Sequence, residues 1–519
     1  MGKNYVLTTL VASFLFTAAS TAQTVEHKKL ARSASSPVAN PPQFIVLGSD
    51  DNTCTQSMIW MTEVLNSGTN KDGSQRFMSF YVNTGAGGGS WANTQGLSDA
   101  VVAAYNSGHS ISNHTHTHRR FVGTNSNPGA HNTRSSLRQV YDEMLNAEER
   151  IVEAGIPREH IFGFRTPFLA YSDSVFTAIR RIGLLYDCSI ESGWDTRPGT
   201  HSWPYTLDII PGEQEAETSG NVAWDNSHTR KYWSRPQTIG GRSIQNVVRE
   251  HPGLWALIAT TVEIAPEDRG TVVHPQGPTD FIISGLDWNI WADSSQWGLH
   301  LNEDQTVNIL MHTLQESMNG NRAPFTFGVH SQYYFEPDNK FDWRKSNDIV
   351  IPGITAAQRR SAFERFVEQA SQLENVWFVS SDMVIAWMKN PVPADQFNPA
   401  DYHRSGPLGA IRPSPDESID IDLIDQTSIT APLPRTSARN SSNVRIGAFR
   451  SGNLSLNVSA AGVYNVSIYG MDGKRLAHTA ANLVQGANSL AIGQNLARGV
   501  AVVRVEGANA NLQKRISIR

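Results

Sequence analysis

From Phe44 onward the chain alternates short apolar runs with longer stretches in which apolar residues recur every three or four positions. The short runs, at 44–47, 77–82, 162–164, 184–186, 325–329 and 376–379, have the length and near-continuous apolarity of strands buried on both faces of a parallel sheet. Among the longer stretches, Leu137, Val140, Tyr141, Met144, Ala147, Ile151 and Val152 predict a helix that Gly155 and Pro157 stop. Further helices are expected over 98–106, 173–182 and 356–373. Strand and helix in alternation build βα units, and the expected fold class is α/β, a distorted (β/α) barrel over residues 43–395.

Three stretches break the rhythm. Residues 191–297 are rich in Trp, Gly and Pro and hold eight of the 13 tryptophans, so they are expected to form an insertion. Trp203, Trp224, Trp233 and Trp291 would there either stack on sugar rings or pack a core. Residues 396–442 are dominated by Pro, Ser, Thr and Asp, as in a linker. Beyond them, 443–519 turns to strict alternation, as in Tyr464-Asn465-Val466-Ser467-Ile468-Tyr469, and predicts a small all-β sandwich.

Charge narrows the function. Lys and Arg number 43 against 48 Asp and Glu, a net charge of -5, so no basic footprint for nucleic acid or anionic membrane exists. At the N-terminus, Lys3 precedes an uncharged run over 5–19 and the small residues Ser20-Thr21-Ala22, the pattern of a signal peptide over 1–22 followed by a tether over 23–42. No later run reaches the roughly 18–20 apolar residues of a transmembrane helix. An exported chain meets oxidising conditions, and Cys54 and Cys188 are expected to pair and brace the loop after the first strand, free thiols being the other possibility.

The candidate chemistry gathers at strand ends. Gly48-Ser49-Asp50-Asp51-Asn52 follows the first strand, and an isolated Asp-Asp there is most simply a helix cap or Asx turn. His114 and His118, four apart in a run of four histidines within ten residues, carry more weight, because one helical turn would aim both imidazoles at a single point. With Asp51 they make a one-carboxylate, two-imidazole set that leaves a divalent metal, most simply zinc, open positions for water and substrate. His116 and His109 are expected to face away from it. Arg165 closes the strand at 162–164 and His330 the strand at 325–329, so in a barrel all these residues share one rim.

These motifs, in this order, resemble the polysaccharide deacetylases of the NodB-homology type, carbohydrate esterase family 4: Gly48-Ser49-Asp50-Asp51-Asn52, His114-Thr115-His116-Thr117-His118, Arg165-Thr166-Pro167-Phe168 and a late strand ending in His330. The stretches Asn321-Arg322-Ala323-Pro324-Phe325 and Ala386-Trp387-Met388-Lys389-Asn390-Pro391 are similar to the chitin deacetylase-like branch. The resemblance, over about 44–393, implies a secreted metal-dependent deacetylase of an acetylated polysaccharide, chitin or its oligomers first. It gives Asp51, His114 and His118 to the metal, Asp50 the role of base, His330 that of acid, Arg165 that of partner to Asp50, and the Phe168 N–H a place in the oxyanion site. The acid's own partner is either Asp187 or Asp287. Asn52 departs from the usual Gly, tolerably, since Asn accepts unusual backbone angles. O-deacetylation of xylan, peptidoglycan deacetylation and a catalytically silent sugar-binding barrel are the alternatives.

The C-terminal segment, through Gly462-Val463-Tyr464, Asp472-Gly473-Lys474, Leu496-Ala497-Arg498-Gly499-Val500 and Lys514-Arg515-Ile516-Ser517-Ile518-Arg519, resembles a type IX secretion sorting domain. That implies a secretion-machinery partner and a secreted or cell-surface enzyme of a Gram-negative bacterium.

Overall fold

The computed structural model describes residues 29–518 apart from 86–90, 92–95, 122–134, 193–196, 209–236, 240–241, 245–249, 275–280, 293–297, 336–352, 423–443, 451, 471–474, 493–495, 497–498 and 508–509. The signal-peptide segment, Trp224, Trp233 and the Asp472-Gly473-Lys474 turn lie outside the described residues.

Strands β1 (Gln43–Asp50), β2 (Ser79–Val82), β3 (Ser110–Asn113), β4 (Gly163–Phe164) and β5 (Tyr186–Asp187) lie side by side in parallel. The connections carry α1 (Thr55–Asn66), α2 (Leu97–Asn106), α3 (Leu137–Glu153) and α4 (Asp173–Ile182). The Trp-rich span then adds β6 (Tyr205–Thr206), a hairpin of β7 (Gln237–Ile239) and β8 (Arg242–Ile244), and β9 (Trp255–Ala256). β9 pairs in parallel with β5 and antiparallel with β6, so this span extends the sheet itself. After the pair β10 (Thr261–Glu263) and β11 (Ile282–Ser284) come α5 (Asp287–Trp291), α6 (Glu303–Asn319), β12 (Phe325–His330), α7 (Ala356–Ala370), β13 (Val376–Phe378), α8 (Ser381–Lys389) and α9 (Pro399–Tyr402). β12 runs along one edge of β1, while β13 and β2 share the other.

The result is a mixed α/β fold whose parallel sheet curls into a distorted barrel. Its two faces pack separately because side chains alternate along a strand. From β1, Ile45 and Leu47 join Met58, Met61 and Leu65 of α1 in the layer beneath the helices. Phe44 and Val46 instead join Tyr81, Tyr186, Trp255 and the apolar residues of α8. Trp203 and Trp291, each 1% exposed, belong to these cores, the first beside Trp387 and the second bonded to Thr306, so neither offers a face to a sugar.

Where the curl must close, between β9 and β12, two threonines bridge the gap. Thr260 N donates to Thr326 Oγ1 (2.8 Å), Thr260 Oγ1 to Thr326 O (2.9 Å), Thr326 N to Thr260 Oγ1 (3.1 Å) and Thr326 Oγ1 to Ile258 O (2.7 Å). Side-chain hydroxyls thus satisfy buried backbone groups that a regular ladder would have paired.

The span expected as a linker begins as a strap. Arg404 donates to the carbonyls of Tyr105 and Gly108, Arg412 to those of Ile182 and Gly183, and Asp416, Glu417 and Asp422 pair with Arg180, Arg181 and Arg138. Further on, β14 (Val444–Arg450), β15 (Asn453–Val458) and β18 (Gly486–Ala491) form one antiparallel sheet. β17 (Arg475–Leu483), β16 (Gly462–Gly470), β19 (Gly499–Gly507) and β20 (Ala510–Ile518) form the other, around Tyr464, Val466, Ile468 and Val503.

The threonine bridge makes a stability prediction. Thr326→Val keeps volume but strands buried N–H and C=O groups, and should lower unfolding free energy by about 1–3 kcal/mol in urea titration. Thr260→Val breaks a different pair, Thr260 Oγ1 to Thr326 O and Thr326 N to Thr260 Oγ1, and the two changes share only the 3.4 Å contact between the hydroxyls, so the double variant should lose close to the sum, with any shortfall measuring that contact.

Candidate active site

Asp50 ends β1, and the chain then turns through two consecutive left-handed residues, Asp51 (φ 60) and Asn52 (φ 52). Non-glycine residues hold such angles only when their surroundings over-determine them. Asn52, fully buried, supplies much of the restraint: its Nδ2 donates to Ser49 O (2.8 Å) and Tyr81 O (2.8 Å), and its Oδ1 accepts from Ser49 Oγ (2.6 Å). The turn separates the paired carboxylates, sending Asp50 inward and Asp51 toward the histidines.

Those histidines converge without a helix. His114 directly follows β3, and the chain reaches His118 through left-handed Thr115 (φ 73), with His118 itself at φ 55. Spacing of four works here because the loop folds back on α3, where Glu143 takes Thr117 N (2.8 Å) and Thr117 Oγ1 (2.6 Å). His116 is turned away, its Nδ1 3.0 Å from Thr84 Oγ1, and His109 is buried beneath the sheet, where burial and the cations of the strap push its imidazole down to about 3.

The expected metal set is brought together: one ligand atom from each of Asp51, His114 and His118 lies within 4.8 Å of the others. Asp51 Oδ1 is 3.0 Å from His118 Nε2 and 3.3 Å from His114 Nε2. The tautomer of His114 is fixed by its other nitrogen. Nδ1 lies 2.7 Å from Arg165 O, which can only accept, so Nδ1 carries the proton and Nε2 presents a lone pair toward a carboxylate oxygen. That oxygen, Asp51 Oδ1, is buried and has no hydrogen-bond donor among the described residues. The His114 lone pair and the Nε2 of His118 meeting an orphaned anionic oxygen are the donor set of a cation, and the residues fit a divalent metal. Burial alone would raise the Asp51 carboxyl; charge and hydrogen bonds from protonated His118 and His114, the state that competes with a bound cation, together with His330 hold it well below the usual carboxylate range.

On one flank Asp50 forms a buried ion pair, Arg165 Nη1 donating to Oδ1 at 2.7 Å, with both side chains nearly inaccessible. Arg165 is spent on neighbours on every side: Nε to Cys188 O (3.0 Å), Nη2 to Cys188 Sγ (3.0 Å), and the guanidinium carbon 4.3 Å from the Tyr81 ring centroid. Burial works against its charge, yet Asp50 and the Cys188 sulfur keep it protonated well beyond the ordinary arginine range. On the other flank His330 Nδ1 lies 2.6 Å from Asp287 Oδ1, while its N–H donates to Asp287 Oδ2 (2.7 Å). Burial lowers the imidazole, but Asp287, then Asp51 and Asp50, push it up to about 9.

This geometry decides between the two aspartates left open by sequence. Asp287 partners His330; Asp187 accepts from Ser189 N (2.8 Å) and Ser189 Oγ (2.7 Å) and is pushed up to about 7 by burial. Phe168, left-handed at φ 58 and 38% exposed, packs on His118 with rings tilted by 53° and centroids 4.7 Å apart, and has Arg120 over its ring. The disulfide expectation is overturned: Cys54 and Cys188 are both free. Cys188 turns its thiol inward onto the Arg165 guanidinium, whereas Cys54 heads α1, partly exposed. Two residues that sequence reasoning passed over also belong here. Gln332 Nε2 donates to Asp51 Oδ2 (2.6 Å), and Ser331 Oγ accepts from Thr53 N (2.9 Å) and Cys54 N (3.3 Å). Their signal was position alone, two polar residues directly after His330 on the rim.

Residues 78–186 match the model of the polysaccharide deacetylase family. The chain is 25% identical over 370 residues to "Chitin deacetylase 8" of Bombyx mori, covering 69% of this chain and 73% of that protein. Among solved structures, the chitin deacetylase of the fungal pathogen Colletotrichum lindemuthianum is similar over 57% of this chain and 91% of its own, at 12% identity and a TM-score of 0.24. A family 4 carbohydrate esterase from Streptomyces lividans, in complex with acetate, is similar over 30% of this chain and 66% of its own, just under two thirds, at 16% identity and a TM-score of 0.21.

Purified protein dialysed against zinc should retain close to one equivalent by elemental analysis. Asp51→Ala, His114→Ala and His118→Ala should each leave it substoichiometric, because three donors are the minimum for an open catalytic site. Retention unaffected by all three changes would place any metal elsewhere.

Proposed function

We propose that the protein is a secreted, metal-dependent polysaccharide deacetylase that removes N-acetyl groups from chitin or chitooligosaccharides. The observation that carries this is the arrangement of two acid–base pairs, Asp50–Arg165 buried and Asp287–His330 partly so, on either side of the Asp51–His114–His118 donor set. A sugar-binding barrel without catalysis has no use for both pairs. The family match and the similarity to a chitin deacetylase support the substrate class.

A divalent ion held by Asp51, His114 and His118 would supply an acidified water and a Lewis acid for the acyl oxygen. Asp50, oriented by its ion pair with Arg165, takes the proton of the water that attacks the acetyl carbon. The Phe168 N–H, carried on a left-handed residue at the rim, is assigned to the developing oxyanion. His330, held charged by Asp287, gives its proton to the departing sugar nitrogen. The imidazolium form exists below about 9 and is lost as pH rises through that value. A cation on Asp51 works against the charge on His330, so the alkaline limb of the metal-loaded enzyme should fall no higher. We extend the proposal to export: the C-terminal double sheet serves as a sorting domain in a Gram-negative host, supported by its motifs and its antiparallel strands.

Acetate release from chitin oligomers, acetylxylan and peptidoglycan should be greatest on the first, and release only from acetylxylan would make the enzyme an O-acetyl esterase. Asp50→Asn and His330→Ala should each lower kcat by about 10²- to 10⁴-fold while metal content stays near wild type. Loss on His330→Ala should be larger for an N-acetyl substrate than for an aryl acetate, whose phenolate leaves without a proton. Equal losses would withdraw the acid role. Asp287→Asn removes the chief support of the imidazolium, and its kcat–pH profile should lose its alkaline limb at lower pH than wild type.

A further inference from the structure

Asp51 is held from both ends. One oxygen, Oδ1, faces the two Nε2 atoms and lacks a donor, while the other, Oδ2, is engaged at 2.6 Å by Gln332, itself 8% exposed. Gln332 stands two residues beyond His330, and Ser331 between them binds the N–H groups of Thr53 and Cys54 on the far side of the same left-handed turn. The end of β12 therefore grips the Asp51 loop at three points, and that loop carries backbone angles that do not persist without such restraint.

We propose, resting on the metal-centre assignment above, that Gln332 is a positioning residue: its amide occupies Asp51 Oδ2 so that the carboxylate meets the metal through Oδ1 alone. A carboxylate has two equivalent oxygens and rotates about one bond, so nothing in Asp51 itself selects which oxygen, or how many, the cation meets. Neutral amide N–H donors select without adding charge. Gln332 supplies the donor from the element that also carries the proposed acid, and the ligand and His330 are thereby fixed relative to each other. A glutamate in its place would put a second anion beside Asp51, and a shorter asparagine would not span the same gap from the same backbone.

The test is zinc affinity, measured by competition with a chromogenic chelator on full-length protein, with kcat recorded separately at saturating zinc. Gln332→Met keeps the length and bulk of the side chain but has no donor, and Gln332→Ala removes both. Outer hydrogen-bond partners of metal ligands typically contribute about 10- to 100-fold in affinity, so both variants should bind zinc more weakly by that order. The metal-free Gln332→Met protein should melt near the metal-free wild type. Zinc affinity of Gln332→Met within twofold of wild type, with Gln332→Ala impaired, would assign the residue to packing and overturn the proposal. Wild-type protein that binds no zinc, or His114→Ala that binds it undiminished, would overturn the metal-centre assignment and this proposal with it.

Discussion

A single buried cation organises the rim. Arg165 touches residues in or just past β1, β2, β3 and β5, pairing with Asp50, lying over Tyr81, accepting through its own carbonyl from His114 and bonding both the sulfur and the carbonyl of Cys188. A desolvated guanidinium costs several kcal/mol unless its donors are met, which explains why four strands are drawn to it. The same residue orients a carboxylate with its side chain and sets the tautomer of an imidazole with its backbone. Losing the side chain would leave Asp50 buried without its partner, a far larger disturbance than the loss of one surface ion pair.

Around that cation the chemistry divides into a metal side and an acid side, and the division rests on backbone angles more than on side-chain identity. Asp51, Asn52, Thr115, His118 and Phe168 all adopt left-handed conformations. Such clustering marks a site where the chain's direction is bent to deliver functional groups, with the strain offset by Asn52, Glu143, Ser331 and Gln332.

Much of this was legible in the sequence, for reasons that also explain the failures. Helix α3 was visible because its buried residues repeat every three or four positions and Gly155 and Pro157 follow it. Strand β3 was not, because Ser110, Ser112 and Asn113 are polar and yet buried, their place secured by the ladder and not by apolarity. Helix α8 gave no amphipathic signal since nearly every residue in it is buried. The pairing of His114 with His118 was found by spacing although the loop between them is not helical. Asp287 and Asp187 each follow an apolar run, and only the approach of α5 to β12 distinguishes them. The cysteines were misjudged by the same logic: nearness of two loops to one rim says nothing about which way a thiol turns.

The strap after α9 has a consequence for where the folding unit ends. Arg404 and Arg412 reach carbonyls in the last turns of α2 and α4 or just past them, where a helix runs short of internal partners. They act as helix stoppers supplied from more than 200 residues downstream in the same chain, and their charge also suits the negative pole of each helix. The motifs that carry the chemistry stop at His330, but the scaffold that carries the motifs is completed only by residues with no chemical part to play. A truncation drawn at the last motif, or at the last strand of the barrel, would keep every reactive group and remove the pieces that stop two of its supporting helices from fraying.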